Sequence, residues 1–144
     1  MSPFADALRT LRFKLGLRQQ ELADLVGCDR SYLSALENDL KHAPSATFVG
    51  ALCTALKLPD ADAAALQRAR DRSQRAYVVP ADTPMQAYDF VFELFACLEG
   101  LNSLQVQAMR AVLELGGAPR SAPLAVEGRI RRSDRRHKEQ EEAM

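Results

Sequence analysis

Apolar residues recur along most of this chain at the three- and four-residue spacing of a helical face, and no segment shows the convincing alternation of a half-buried strand. Phe4, Leu8, Leu11 and Leu15 predict a first helix with these side chains inward. Ser2-Pro3 supplies its N-cap and a proline at the first helical position, and Gly16 ends it. Two short runs follow, Gln19–Val26 and Arg30–Glu37, with Leu22, Ala23, Val26, Leu33 and Leu36 on their inward faces. Gly27 stands where the earlier run must stop, because glycine reaches the left-handed conformation at little steric cost. Asp29 stands where the next begins, as a cap for its exposed first-turn amides. A fourth helix is capped by Ser45, turns Phe48, Leu52, Ala55 and Leu56 inward, and closes at Pro59. A fifth runs from Asp60 to about Arg75, with Ala65, Leu66 and Ala69 inward. Its stripe Arg68, Arg72, Arg75 reads either as solvated charge or as a surface for phosphates or an acidic partner.

Tyr77–Pro84 contains two prolines and reads as a linker, and Thr83-Pro84 repeats the cap-plus-proline start. The next helix, MQAYDFVFELFACLEG, is the most apolar, with Tyr88, Phe90, Val91, Phe92, Leu94, Phe95 and Leu98 before Gly100. Asn102 caps a seventh, whose broad apolar face carries Leu104, Val106, Ala108, Met109, Val112 and Leu113 and which ends at Gly116-Gly117. Such a helical hairpin is too small to fold alone, and a helix apolar on most of its circumference needs partners on more than one side. The remainder is proline, serine, glycine and charge without apolar periodicity, which predicts disorder. Its arginines Arg129, Arg131, Arg132, Arg135 and Arg136 suit either nonspecific attraction to DNA or simple solubility. The expected organisation is all-α: a five-helix domain over residues 1–75, a linker over 76–83, a hairpin over 84–116 and a charged tail over 117–144.

The pair of short helices decides the function. Ala23 is small where the second helix of the pair must cross the first closely. A tight crossing that holds its second helix outward is a helix-turn-helix, which presents that helix to the DNA major groove. From about Phe4 to Leu58 the chain resembles the phage-repressor family of such domains, the Cro/repressor-like or XRE type. The likeness lies in the lead-in LRFKLGLRQQELA, the core LVGCDRSYLSALEN and the closing PSATFVGALCTALKL. It implies that Gln19 opens the second helix and caps onto a phosphate, and that Arg12 is buried against Glu37. Two departures stand out. The glycine usual after Glu-Asn is Asp39, and the loop that often carries several basic residues has only Lys41 and His42.

Formal charge is zero over 144 residues, with 19 Lys+Arg against 19 Asp+Glu, so net charge neither demands nor excludes nucleic acid. Its distribution says more. Residues 1–75 hold 11 basic and 9 acidic groups, residues 76–116 hold one and five, and residues 117–144 hold seven and five. An acidic middle is a poor DNA surface, which places binding in the N-terminal domain. Cys28, Cys53 and Cys97 are far apart and odd in number, against structural disulfides or a zinc site. Cys53 and Cys97 read as small core residues, while Cys28 lies in the turn, where exposure and a redox role stay open. There is no signal-like start and no stretch approaching about 18 apolar residues, so a cytoplasmic, non-membrane protein is expected. No catalytic constellation, cofactor motif or metal-ligand set is evident.

By the resemblance, the base-reading positions are Arg30, Ser31 and Ala35, with Tyr32 and Ser34 near the groove wall. Arg30 is the best reader, since a guanidinium bridges guanine O6 and N7. Tyr32 has a competing structural use, packing against the start of helix 2. Arg18, Gln19, Lys41 and Ser45 are the expected phosphate contacts, which set register without reading sequence. Asp29 is a cost there unless fully engaged as a cap. Two such domains on inverted half-sites of double-stranded DNA make a useful interface, so a homodimer through Tyr88, Val91, Phe92, Phe95, Met109 and Val112 is expected. The first reading is a sequence-specific transcriptional regulator of the repressor kind, binding a palindromic operator. The alternatives are an antitoxin whose hairpin neutralises a toxin partner, and a helix-turn-helix serving only protein interaction; a ligand-sensing hairpin also stays open.

Overall fold

The computed structural model describes residues 1–117, 122, 123, 125 and 126. Among these residues the chain is all-helical: α1 Pro3–Lys14, α2 Gln19–Val26, α3 Arg30–Glu37, α4 Ala46–Ala55, α5 Asp60–Asp71, α6 Met85–Cys97 and α7 Ser103–Glu114, with a 3₁₀ turn at Leu98–Gly100 and no strand. It divides into two compact units, Met1–Tyr77 and the segment from Val78 onward. Among the described residues no helix is long and apolar enough to cross a membrane. The expected charged tail falls almost wholly on residues 118–121, 124 and 127–144, its five arginines included, outside the described residues.

In the first unit α1 packs on α3 and α5, α2 on α3 and α4, and α4 on α5. Phe4, Leu8, Leu22, Ala23, Leu33, Leu36, Val49, Leu52 and Leu66 form one buried core, with Leu11, Leu17, Val26, Phe48 and Leu56 half-buried around it. Each fully buried aliphatic or aromatic side chain contributes about 1.5–3 kcal/mol, so this cluster is what holds the two short helices in their crossing. Two caps behave as the sequence implies: Ser2 Oγ accepts from the Ala5 amide at 3.3 Å and Ser45 Oγ from the Phe48 amide at 3.1 Å.

Several expectations need correction. Leu15 is not inward but 42% exposed. The helix α1 stops at Lys14, and Gly16, at φ 68°, swings the chain so that Leu17 takes the core position instead. Ala65 is exposed, and Leu66 alone from α5 is fully buried. That helix also ends at Asp71 rather than near Arg75. The Ser73 hydroxyl donates to the Ala69 carbonyl at 2.7 Å and accepts the Phe4 amide at 2.8 Å, pinning the end of α5 to the start of α1. Arg75, beyond the helix, reaches the loop after α3, where its Nη2 lies 3.2 Å from the Asp39 carbonyl oxygen and 3.4 Å from the carboxylate. Of the predicted arginine stripe, Arg75 is therefore drawn off the helix into a local pairing.

In the second unit α6 starts at Met85 with Pro84 as its N-cap and no side-chain cap, so Thr83 does not serve that role. The Ala87 amide closes the first turn on the Pro84 carbonyl at 2.9 Å. Asn102 and Gln105 cap α7 reciprocally, at 2.9 and 3.0 Å. No residue of α6 or α7 is buried. Phe92 is 77% exposed and Leu104 74%, where core residues of the first unit are near zero. An apolar groove of about 430 Å³ opens between the two helices, lined by Phe90, Leu94, Leu98, Val106, Met109 and Leu113 among others.

Candidate functional site

The geometry of α2 and α3 rests on Glu37, the last residue of α3, which is fully buried. Arg12 reaches it from α1 in a forked contact, Nε to Oε1 at 2.6 Å and Nη2 to Oε2 at 3.0 Å. The third donor, Nη1, bonds the Leu17 carbonyl at 3.0 Å. A charged fork with each oxygen held is the arrangement that repays burial of an ion pair. Hydrogen bonding to Glu37 accordingly raises the Arg12 pKa, against the opposing effect of burial. This is the pair the resemblance implies. Gln19 joins it: its Nε2 donates to Glu37 Oε2 at 2.8 Å. Its side chain thus ties the start of α2 to the end of α3.

Arg9 was not anticipated. One helical turn before Arg12, its Nη2 donates to the Glu37 carbonyl at 3.0 Å and to Asn38 Oδ1 at 2.9 Å. It satisfies a carbonyl at the end of α3, where cations also suit the helix dipole. The three-residue spacing from Arg12 was the available signal.

At the other end, Arg30 and Ser31 are exposed on the first turn of α3. Asp29 has the extended backbone of an N-cap, but its carboxylate makes no capping hydrogen bond. The expectation of a side-chain cap there is overturned; only its carbonyl joins the helix, accepting the Leu33 amide at 3.1 Å. An uncommitted carboxylate thus sits beside the exposed amides of α3.

The remaining predicted contacts divide. Ser31, Tyr32 and Lys41 line one open hollow with Cys28 and Asp29. Tyr32 is half-buried; its ring meets Phe48 edge-on, with centroids 5.5 Å apart, and the Lys41 ammonium lies 5.2 Å over its face. Ser34 is half-buried and accepts from Asn38 Nδ2 at its hydroxyl and its carbonyl. Ala35 is half-buried, and its carbonyl accepts the amides of Leu40 and Lys41. Arg18 is exposed at the start of α2, its amide held by Glu21 at 2.6 Å. The Ser45 hydroxyl is taken up as the cap of α4.

Cys28 is half-buried against the core rather than exposed, and burial, with the charge of Asp29, pushes its thiol above the usual range. That opposes thiolate reactivity. Cys53 is likewise half-buried, whereas Cys97 is exposed, not a core residue. In the second unit the expected dimerisation set splits. Met109 and Val112 line the groove between α6 and α7, while Tyr88, Phe92 and Phe95 lie outside it and are exposed. Val91 is half-buried.

Residues 3–66 match a family model described as a helix-turn-helix domain. No curated protein and no solved structure matches the chain.

Proposed function

We propose, from the match of residues 3–66 to a helix-turn-helix domain, that this protein is a sequence-specific DNA-binding transcriptional regulator, acting as a repressor on a palindromic operator. The observation that carries the reading is the outward, exposed first turn of α3, with Arg30 and Ser31 uncommitted, on a helix whose other end is anchored by Arg9, Arg12 and Gln19. A reading helix must be held rigidly while its recognition side chains stay free, and this domain supplies both. Arg30 reads guanine in the major groove; Arg18 and Lys41 hold phosphates. The protein works without catalysis or cofactor, in the cytoplasm where its DNA lies.

The operator is palindromic because the regulator is a homodimer. The helices α6 and α7 leave large apolar side chains on two surfaces, the groove between them and the outer stripe Tyr88, Phe92, Phe95, more than soluble monomers usually expose. A second copy covers them and presents two recognition helices to inverted half-sites. The same apolar surface supports the second reading, an antitoxin whose hairpin holds a toxin; a small protein co-purifying in fixed ratio would favour it.

The test is to sequence the genomic fragments retained by the purified protein. Enrichment of an inverted repeat with half-sites about one helical turn apart is expected. Absence of any DNA binding at low salt would leave the domain as a protein-interaction module.

A further inference from the structure

We infer that Tyr32 is a positioning residue that aims Lys41 at a DNA phosphate, and that it does not read bases. The inference rests on the DNA-binding function proposed above and assigns a division of labour within that surface.

Tyr32 occupies the third position of α3, where an exposed side chain would be a candidate base reader. Its ring is already committed on two sides. Phe48 of α4 meets it edge-on at an interplanar angle of 86°, the geometry in which the positive ring edge of one aromatic meets the negative face of another. The Lys41 ammonium lies 5.2 Å from its centroid, within cation–π range. Turning the ring toward a base edge would give up both contacts.

Lys41 is held at its other end too. Its amide, with that of Leu40, bonds back to the Ala35 carbonyl of α3, at 3.3 and 2.9 Å. A lysine side chain normally loses much rotamer freedom when it fixes a ligand. Here the backbone is tied to the recognition helix and the ammonium rests on a ring of that same helix, so part of the loss is met before DNA arrives. The loop after α3 has few cations, only Lys41 and His42, so orienting one of them matters more than in a loop with many. Among the described residues no carboxylate forms an ion pair with Lys41, which leaves its charge for an incoming phosphate.

The experiment measures binding of the full chain to its selected DNA fragment and to random DNA across a salt series, for wild type, Lys41→Ala, Tyr32→Leu, Tyr32→Phe and the double variant Tyr32→Leu/Lys41→Ala. Losing one phosphate contact lowers the slope of log affinity against log salt by about 0.9. Tyr32→Leu is expected to show most of that loss, weakening both DNAs equally. The double variant should be no worse than Lys41→Ala, and Tyr32→Phe, which keeps the ring, should restore wild-type slope and preference. Loss of preference for the selected fragment in Tyr32→Phe or Tyr32→Leu would show a base reader and overturn the inference. So would an unchanged salt slope in a folded Tyr32→Leu protein. Should Tyr32→Leu fail to fold, Tyr32→Phe still decides, because a base-reading hydroxyl would be lost in it. A wild-type chain that binds no DNA overturns the functional proposal itself, a result distinct from these.

Discussion

Arg75 and Asp39, 36 positions apart, meet where the chain leaves α3: the guanidinium lies 3.4 Å from the carboxylate and donates to the same residue's carbonyl. Asp39 stands at φ 59°, a left-handed backbone that costs most residues about 1–2 kcal/mol. The Ser2 amide donates to its other carboxylate oxygen at 3.0 Å. The position thus does without glycine because the side chain recovers in contacts what the backbone loses in strain.

The first prediction separates these two effects. Asp39→Ala keeps the strain and loses the contacts, and should lower stability by about 1–2 kcal/mol. Asp39→Gly loses the contacts but relieves the strain, and should cost less. Thermal melts compare them; a glycine variant less stable than the alanine variant would refute the offset. The pH dependence has a definite sign. Burial alone would push the Asp39 carboxyl up, but hydrogen bonding from Ser2 and the charge of Arg75 outweigh it and hold the pKa below its ordinary value. The contribution is present above the ordinary aspartate range and is lost as pH falls through the lowered value. The stability gap between wild type and Asp39→Asn should therefore close on acidification.

Arg12→Ala should be strongly destabilising, by about 3–5 kcal/mol, because it strands the buried Glu37 carboxylate with, among the described residues, only Gln19 to bond it. Replacing both partners by apolar residues of similar volume should cost much less. Chemical denaturation measures each. An Arg12→Ala chain that melts like wild type but binds DNA poorly would make Arg12 a DNA contact instead.

Asp29→Asn should tighten DNA binding. Its carboxylate caps nothing and lies in the hollow beside Ser31 and Lys41, so removing the charge lifts a repulsion without loosening α3. A gain of about two- to fivefold, equal on specific and random DNA and shrinking with salt, is expected from one screened charge near the backbone. Weaker binding would show that Asp29 orders the turn after all.

A chain ending at Tyr77 should be monomeric and folded, while the full chain is dimeric. The first unit has its own core, whereas α6 and α7 bury nothing by themselves. Light scattering on both forms checks it. A dimeric truncated form, or a full chain monomeric at micromolar concentration, removes the second unit from assembly.

What could be read in the sequence was what local spacing controls. Leu22, Ala23, Leu33 and Leu36 were legible because helical period and Gly27 fix their faces, and all four are buried. Leu15 failed because one left-handed glycine, Gly16, decides whether Leu15 or Leu17 turns inward, and periodicity carries no information across such a break. The union of Arg12 with Glu37 came from the resemblance, not from spacing. The contacts of Asp39 with Ser2 and Arg75, and of Tyr32 with Phe48, join residues remote along the chain or on different helices, so only the packed fold shows them. For the same reason the idle carboxylate of Asp29 could not be told from a working cap: both have the same sequence.

The most direct test is of Arg30, exposed at the first position of α3. Binding of wild type and Arg30→Ala is compared on the selected fragment and on random DNA at one fixed salt concentration. Arg30→Ala should lose about 1–3 kcal/mol on the selected fragment and far less on random DNA, so that preference collapses while general affinity survives. Equal losses on both DNAs would contradict the assignment of α3 as the helix that reads the operator.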